Sequence, residues 1–188
     1  MTESNTNVEE TKATGGIRWG WVVVFILMVA LLVMVGIGLQ RTMQGSIAAD
    51  EKVPEYTLTT FDGDVYVSTD LRGQIVVINF WASWCKPCEQ EAADLQRAWE
   101  LYENRGDVMF LGVDYVDTEP EARAYLERFS ITYPNGPDLG TRISQAFRTR
   151  GVPETYFIDR TGTLVYTKVG PFSSLSEITS IVNSMLEE

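Results

Sequence analysis

Residues 84–88 read Trp-Cys-Lys-Pro-Cys and contain both cysteines of the 188-residue chain. They follow an apolar run that ends at Trp81 and precede a run with helical spacing. If a helix begins at or just before Cys85, the Cys85 thiol lies over free main-chain N–H groups and the positive end of the helix dipole. Such surroundings lower a thiol pKa below its ordinary value of about 8.5. Cys88, one turn further along, is then placed to attack a mixed disulfide at Cys85.

The rest of the composition excludes most other uses of the two cysteines. The chain contains no histidine, so His-ligated zinc, Ser-His-Asp triads, Cys-His proteases and c-type haem attachment are excluded. One Cys-x-x-Cys pair is half of many zinc sites, but the chain has no second pair, which leaves only a four-cysteine site shared across a dimer. A structural disulfide that closes so short a loop would stabilise the fold little. We therefore expect a redox-active dithiol and no metal or other cofactor.

The charge of the chain argues against a nucleic-acid partner. The formal net charge is -11 at pH 7, and Lys and Arg form no cluster that could follow a phosphate backbone. Near the dithiol, the cation of Lys86 and the carboxylates of Glu89 and Glu91 shift the pKa of the first thiol in opposite directions. The sequence therefore leaves the direction of electron transfer open.

Residues 19–40 carry no charge and are almost entirely apolar or glycine. They are long enough for a helix to cross the ~30 Å hydrocarbon core of a bilayer, with Trp19 and Trp21 at one interface. A cleaved signal peptide is the alternative, because residues 46–48 (Ser-Ile-Ala) offer a small-x-small site. Its apolar region is normally only about 7–15 residues long. We therefore predict a retained transmembrane helix that contacts the lipid bilayer.

The orientation of this helix is not decided by charge. Lys12 and Arg18 on one side are matched by Arg41 and Lys52 on the other, so the positive-inside rule gives a tie. The predicted domain organisation is a disordered tail (1–18), the transmembrane helix (19–40), a linker (41–52) and a folded domain (53–188).

The folded domain is predicted to be an α/β sandwich with a mixed sheet. Along it, stretches of alternating apolar and polar residues and continuous apolar runs predict strands, and apolar residues at helical spacing predict helices. A hairpin comes first, and a loop is expected over residues 133–140. The predicted strands are 56–60, 65–68, 75–81, 108–113, 155–158 and 164–169. One predicted helix follows Cys88, and a short one covers residues 143–147. Two more helices are predicted to begin at capping boxes near Thr118 and Ser174.

Two motifs carry a family resemblance. Residues 78–88, Ile-Asn-Phe-Trp-Ala-Ser-Trp-Cys-Lys-Pro-Cys, resemble the active-site strand and turn of the thioredoxin superfamily, and more narrowly those of the membrane-tethered TlpA/ResA/DsbE group. Residues 151–159, Gly-Val-Pro-Glu-Thr-Tyr-Phe-Ile-Asp, match the second signature of that family. The likeness covers residues 53–188, including the N-terminal hairpin and a helical insert after Val113. It implies a thioredoxin-like fold and a redox-active Cys85–Cys88 disulfide, with the catalytic domain on the extracytoplasmic face of the cell membrane.

The resemblance also implies a substrate-binding surface. The Val152-Pro153 peptide bond would be cis and would face the dithiol, and the Val152 main chain would pair with an incoming substrate strand. A trans proline that ends an edge strand is the alternative. Trp84, Lys86 and Pro87 would complete this surface, with Trp84 covering the disulfide.

The proton acceptor for Cys88 is less defined. Asn79 stands where thioredoxins carry a buried aspartate, which removes the usual acceptor but is common in the tethered group. Glu154, directly after the proline, and Asp117, in the insert, are the replacement candidates for this catalytic role. Each could instead be a solvated surface carboxylate.

The sequence thus predicts a membrane-anchored thiol–disulfide oxidoreductase that reduces disulfides of exported apoproteins such as apocytochrome c. Cys85 would attack, Cys88 would resolve, and a membrane thiol–disulfide electron donor would recycle the enzyme. One alternative is a peroxiredoxin-like peroxidase, although its Pro-x-x-x-Thr-x-x-Cys pattern is missing before Cys85. The other is a non-enzymatic metallochaperone on the same fold, which would need a wider cysteine spacing and a histidine.

Overall fold

A computed structural model describes residues 17–42 and 47–187, in two compact units. The first unit is one helix, α1 (Ile17–Thr42), which extends slightly beyond the predicted span at both ends. Its large apolar side chains between Trp19 and Ile37 are exposed, and by length and composition this segment could cross a membrane. Residues 1–16 of the predicted tail and residues 43–46 of the predicted linker lie outside the described residues.

The second unit is built on a mixed sheet, as predicted. Its strands are β1 (Thr57–Thr59), β2 (Val65–Val67), β3 (Ile75–Trp81), β4 (Val108–Asp114), β5 (Asn135–Pro137), β6 (Glu154–Ile158) and β7 (Leu164–Val169). The five-stranded sheet has the order β5-β4-β3-β6-β7, and β1 and β2 form a separate antiparallel hairpin. The central β3 pairs in parallel with β4 and antiparallel with β6.

Helices cover both faces of this sheet. They are α2 (Lys86–Tyr102), α3 (Glu119–Arg128), α4 (Arg142–Phe147) and α5 (Leu175–Leu186). On one face, apolar side chains of α2 and α5 pack on Ile75 and Val77 of β3. On the other, the hairpin and α4 pack on Val76, Ile78 and Phe80. Every side chain of β3 is therefore buried, which explains why its sequence is a continuous apolar run rather than an alternating one.

Strand β5 corrects the sequence prediction. A loop was expected over residues 133–140, and this is wrong at Asn135–Pro137, which pairs in parallel with the end of β4. Glycine and proline disfavour strands, so local propensity gives no signal here. Packing provides the reason: a Cβ on Gly136 would lie 2.2 Å from the Thr59 carbonyl oxygen, so only glycine allows this approach to the hairpin.

The folded unit also begins before Val53. The Asp50 N–H donates to the Leu164 carbonyl at 2.8 Å, and the Leu164 N–H donates to the Glu51 carbonyl at 2.9 Å. Ile47 is buried in the core beneath the hairpin. Residues 47–52, predicted as linker, therefore pair with the start of edge strand β7.

Candidate active site

Both cysteines lie between β3 and α2, where they form a disulfide. The helix begins at Lys86, with Pro87 in its first turn and Cys85 as its N-cap. The Cys88 N–H donates a hydrogen bond to the Cys85 sulfur at 3.2 Å. The helix thus begins one residue after Cys85, close to the expected start, and free N–H groups of its first turn lie beneath Cys85. In the reduced protein this environment stabilises the Cys85 thiolate.

The two tryptophans of the motif differ in burial. Trp84 is 60% exposed beside Cys85, and its Nε1–H donates to the Val116 carbonyl at 2.9 Å. Trp81 is buried and stacks on Tyr125 with ring centroids 4.5 Å apart. Its Nε1–H donates to the Asn135 side-chain oxygen at 2.8 Å. Trp81 is therefore part of the core, whereas Trp84 offers an apolar surface next to the dithiol.

The Val152–Pro153 peptide bond is cis, as the resemblance implies. Val152 packs against the apolar cluster that includes Cys85 and Cys88, so this segment forms the opposing wall of the site. Within residues 47–187, neither the N–H nor the carbonyl of Val152 takes part in a hydrogen bond. Both groups are available to an added strand.

The structure engages Asp117 with the turn before Cys85. One carboxylate oxygen accepts from the Ser83 N–H at 2.5 Å, and the other accepts from the Ser83 hydroxyl at 2.7 Å. Asp117 is neither freely solvated nor bonded to a cysteine. Its visible role is to hold the main chain two residues before Cys85.

Glu154 is fully buried, but on the far side of the sheet. It pairs with Phe80, whose side chain faces the hairpin and α4. Its carboxylate accepts from the Tyr156 hydroxyl at 2.9 Å and from the Arg150 N–H at 3.0 Å. It is therefore not a surface carboxylate, and both of its oxygens have partners away from α2.

A second buried glutamate, Glu91, lies one turn after Cys88 on the same side of α2. It is 1% exposed, and its oxygens accept from the Asn79 side-chain amide at 2.8 Å and from the Phe172 N–H at 2.9 Å. Asn79 also donates to the Thr155 hydroxyl at 2.9 Å. Burial raises the pKa of Glu91 to about 7, although the hydrogen bonds from Phe172 and Asn79 oppose this effect. Glu91 can therefore gain or lose a proton near neutral pH.

Sequence reasoning missed this residue, treating Glu91 only as an acidic neighbour of the dithiol. The sequence did hold a signal for this role. Glu91 follows Cys88 by three residues, about one helical turn, and lies on the same buried helix face as Ala92 and Leu95. The partner that stabilises it, the Phe172 N–H, comes from the loop before α5, and no local pattern could have paired the two.

Lys86 is exposed and its charge is compensated. Its ammonium group pairs with Glu89 at 3.1 Å, and Glu89 also pairs with Arg128 at 3.2 Å. The hydrogen bond from Lys86, more than the charge of Arg128, lowers the pKa of Glu89. Within the described ranges, no group of three or more Cys, Asp or Glu side chains is arranged to hold a metal ion.

Comparison with known proteins agrees with this geometry. Residues 49–167 match the AhpC/TSA family. The chain belongs to the AhpC/TSA family. Thiol-disulfide oxidoreductase ResA of Geobacillus thermodenitrificans (strain NG80-2) is 31% identical over 121 residues, covering 64% of this chain and 69% of ResA. Thiol:disulfide interchange protein DsbE of Allochromatium vinosum is 33% identical over 156 residues, covering 80% and 82% respectively.

A solved structure extends the likeness to three dimensions. The thiol:disulfide interchange protein of the thioredoxin family from Chlorobium tepidum TLS superimposes with a TM-score of 0.67 at 27% identity, over 75% of this chain and 99% of the other. This AhpC/TSA family member therefore has a thioredoxin-like fold and is a thiol–disulfide oxidoreductase of the ResA/DsbE type.

Proposed function

We propose that this oxidoreductase is anchored in the cell membrane by residues 19–40 and reduces disulfides in exported proteins. The observation that carries the proposal is the arrangement of the Cys85–Cys88 pair at the N-terminus of α2. It faces the cis Val152–Pro153 segment and lies one turn before the buried Glu91.

The exchange takes place in two steps. The Cys85 thiolate attacks one sulfur of the substrate disulfide, forming a mixed disulfide and releasing the other substrate sulfur as a thiolate that takes up a proton. The Cys88 thiolate then attacks the Cys85 sulfur, which forms the Cys85–Cys88 disulfide and releases the second substrate thiolate. Two electrons have moved to the substrate, and a membrane thiol–disulfide donor returns two to the enzyme.

Glu91 accepts the proton that Cys88 must lose before the second step. The two residues share one side of α2, and a carboxylate whose pKa is about 7 is matched to proton transfer near neutral pH. We assign this role to Glu91 rather than to Glu154 or Asp117. Glu154 is bonded on the opposite side of the sheet, and Asp117 is bonded to Ser83.

The substrate lies across Trp84 and the Val152 main chain. An extended segment pairs with the free N–H and carbonyl of Val152, as an added β-strand does. Its disulfide then rests over Cys85, and Trp84 supplies apolar contact, while Lys86, Pro87 and Pro153 border the path.

Helix α1 and the relatives both support a location at the membrane. A helix with exposed apolar side chains is stable in a bilayer, and partner disulfides persist outside the cytoplasm. We therefore place the folded unit on the extracytoplasmic face. The resemblance to the tethered group favours apocytochrome c among its substrates.

The test uses the full-length protein in detergent with a disulfide-containing apocytochrome c as substrate. We expect the reduced wild type to reduce it, Cys85→Ser to be inactive, and Cys88→Ser to accumulate a mixed disulfide at Cys85. Wild-type behaviour of Cys85→Ser would refute the mechanism. Peroxide consumption faster than disulfide exchange would favour a peroxidase, and tight Cu(I) binding without exchange would favour a metallochaperone.

A further inference from the structure

Two loops meet beside the dithiol: the active-site loop (residues 82–85) and the loop between β4 and α3 (residues 115–118). The Tyr115 N–H donates to the Trp81 carbonyl at 2.8 Å, and the indole N–H of Trp84 donates to the carbonyl of Val116. The Asp117 carboxylate accepts from both the N–H and the hydroxyl of Ser83. These contacts fix the main chain that positions Cys85, and the two bonds to Asp117 depend on its negative charge.

Asp114 lies directly behind this contact. It is the last residue of β4, pairs with Trp81 in the sheet register and is 2% exposed. Its Oδ1 atom has no hydrogen-bond partner among residues 47–187, although a buried carboxylate oxygen without a partner is costly. Asp114, Asp117 and Asp138 line the same cavity, so the Asp117 carboxylate is a neighbour of this buried carboxyl group.

Two neighbouring carboxylates cannot both be charged without strong repulsion, so one of them holds a proton. Both oxygens of Asp117 already accept hydrogen bonds from Ser83, whereas Oδ1 of Asp114 has no partner among the described residues. The proton therefore belongs on Asp114, which can donate it to Asp117. The third carboxylate that acts on Asp114 is that of Asp138, which accepts from the N–H groups of Ile143 and Ser144.

We propose that protonated Asp114 is a positioning residue, which holds Asp117 against Ser83 and so fixes the active-site loop in a pH-dependent way. This inference deepens the proposed oxidoreductase function and rests on it. Asp114 touches neither the substrate nor the cysteines, and it acts only through Asp117.

The direction of the pH effect follows from the charges. Burial first, and then the proximity of Asp117 and Asp138, raises the pKa of Asp114 to about 8. Below that pH the proton is present and the contact between the loops is intact. Above it, Asp114 becomes a second anion, repels Asp117 and weakens the hold on Ser83.

Asp114→Asn separates this role from a purely structural one. Asparagine has nearly the same shape, keeps an N–H donor for Asp117 and cannot ionise. In full-length protein we expect the ratio of variant to wild-type kcat/KM for disulfide reduction to be near one at about pH 6.5. By about pH 9.5 the ratio should rise to about tenfold, the size expected for one hydrogen bond. Asp70→Asn, the same change at an exposed site, should give a ratio near one at every pH.

A second measurement does not depend on activity. Carbon-13 NMR of Asp-labelled oxidised protein should show one carboxyl group titrating near pH 8, and this titration should vanish in Asp114→Asn. A flat activity ratio, or the absence of that titration, would overturn the proposal. If the protein exchanged no disulfides while the carboxyl group still titrated, the proposed function would fail and the shared proton would stand.

Discussion

Glu91 and Glu154 are two buried glutamates that lie on opposite faces of the same sheet. Both are almost completely inaccessible, and both have a hydrogen-bond partner for each carboxylate oxygen. Glu91 extends from α2 one turn after Cys88, whereas Glu154 extends from β6 toward α4. The comparison teaches that burial alone does not identify a catalytic carboxylate, because the side of the sheet decides what it can reach.

Their partners differ in the same way. Glu91 bonds to Asn79, which stands at the centre of β3, and to a loop N–H, so its carboxylate belongs to the layer that holds the dithiol. Glu154 bonds to Tyr156 and to the Arg150 N–H, so it ties the loop before the cis proline to the core. We therefore assign proton transfer to the first and loop anchoring to the second.

Replacement of each glutamate by glutamine should give the largest difference between the two sites. Glu91→Gln removes the proton acceptor for Cys88, so the rate of the resolving step at pH 7 should fall by about 10³-fold, within the usual range for general acid–base catalysis. Stopped-flow exchange with a model disulfide measures that step directly.

Glu154→Gln is the matched control. It makes the same chemical change at an equally buried site, and its resolving rate should stay within about threefold of the wild type, because only a group aligned for proton transfer contributes such a factor. Equal losses in the two variants would contradict the assignment of the proton acceptor to Glu91.

The pH dependence of stability should also distinguish Glu91 from Glu154. The pKa of Glu91 is raised to about 7 in the folded protein, above its ordinary value of 4.5, so the folded state binds this proton more tightly. The free energy of unfolding should therefore fall as the pH rises from about 4.5 to 7, by about 3 kcal/mol at 1.36 kcal/mol per pKa unit. Above that range the contribution is lost.

Urea unfolding of the oxidised protein at several pH values measures this decline. Glu91→Gln should flatten the curve by that amount, and Glu154→Gln, which leaves Glu91 in place, should keep the decline. A Glu91→Gln curve that runs parallel to the wild type would show that the pKa of Glu91 is not raised in the folded protein.

The sequence predicted most of the architecture around these two residues. The apolar run of β3, the helix start next to Cys85 and the strand over residues 164–169 could all be predicted, because each rests on local periodicity or on capping. Strand β5 was not, since it forms only through pairing with β4 and the close approach of Gly136 to the hairpin.

In the candidate site, too, some features could be predicted from local sequence and others could not. The dithiol and the cis proline follow from short motifs, so they could be named from the sequence. The environments of Glu91, Asp117 and Glu154 could not, because each is set by groups distant in sequence or by the side of the sheet it faces. Alternation along β6 puts Thr155 and Glu154 on opposite faces, but which face meets α2 depends on the strand order.

Tyr156→Phe tests the assignment of Glu154 to loop anchoring, where the expected effect is the smallest. It removes the hydroxyl that donates to Glu154 at 2.9 Å and leaves the ring in its place beside Phe80 and Phe147. Because a buried acceptor loses one partner, we expect the free energy of unfolding to fall by about 1–3 kcal/mol. The exchange rate should remain unchanged, because Glu154 does not face the dithiol. Urea unfolding and stopped-flow exchange on the same sample give both values. A slower resolving step at unchanged stability would place Glu154 in the proton path and remove the distinction between the two glutamates.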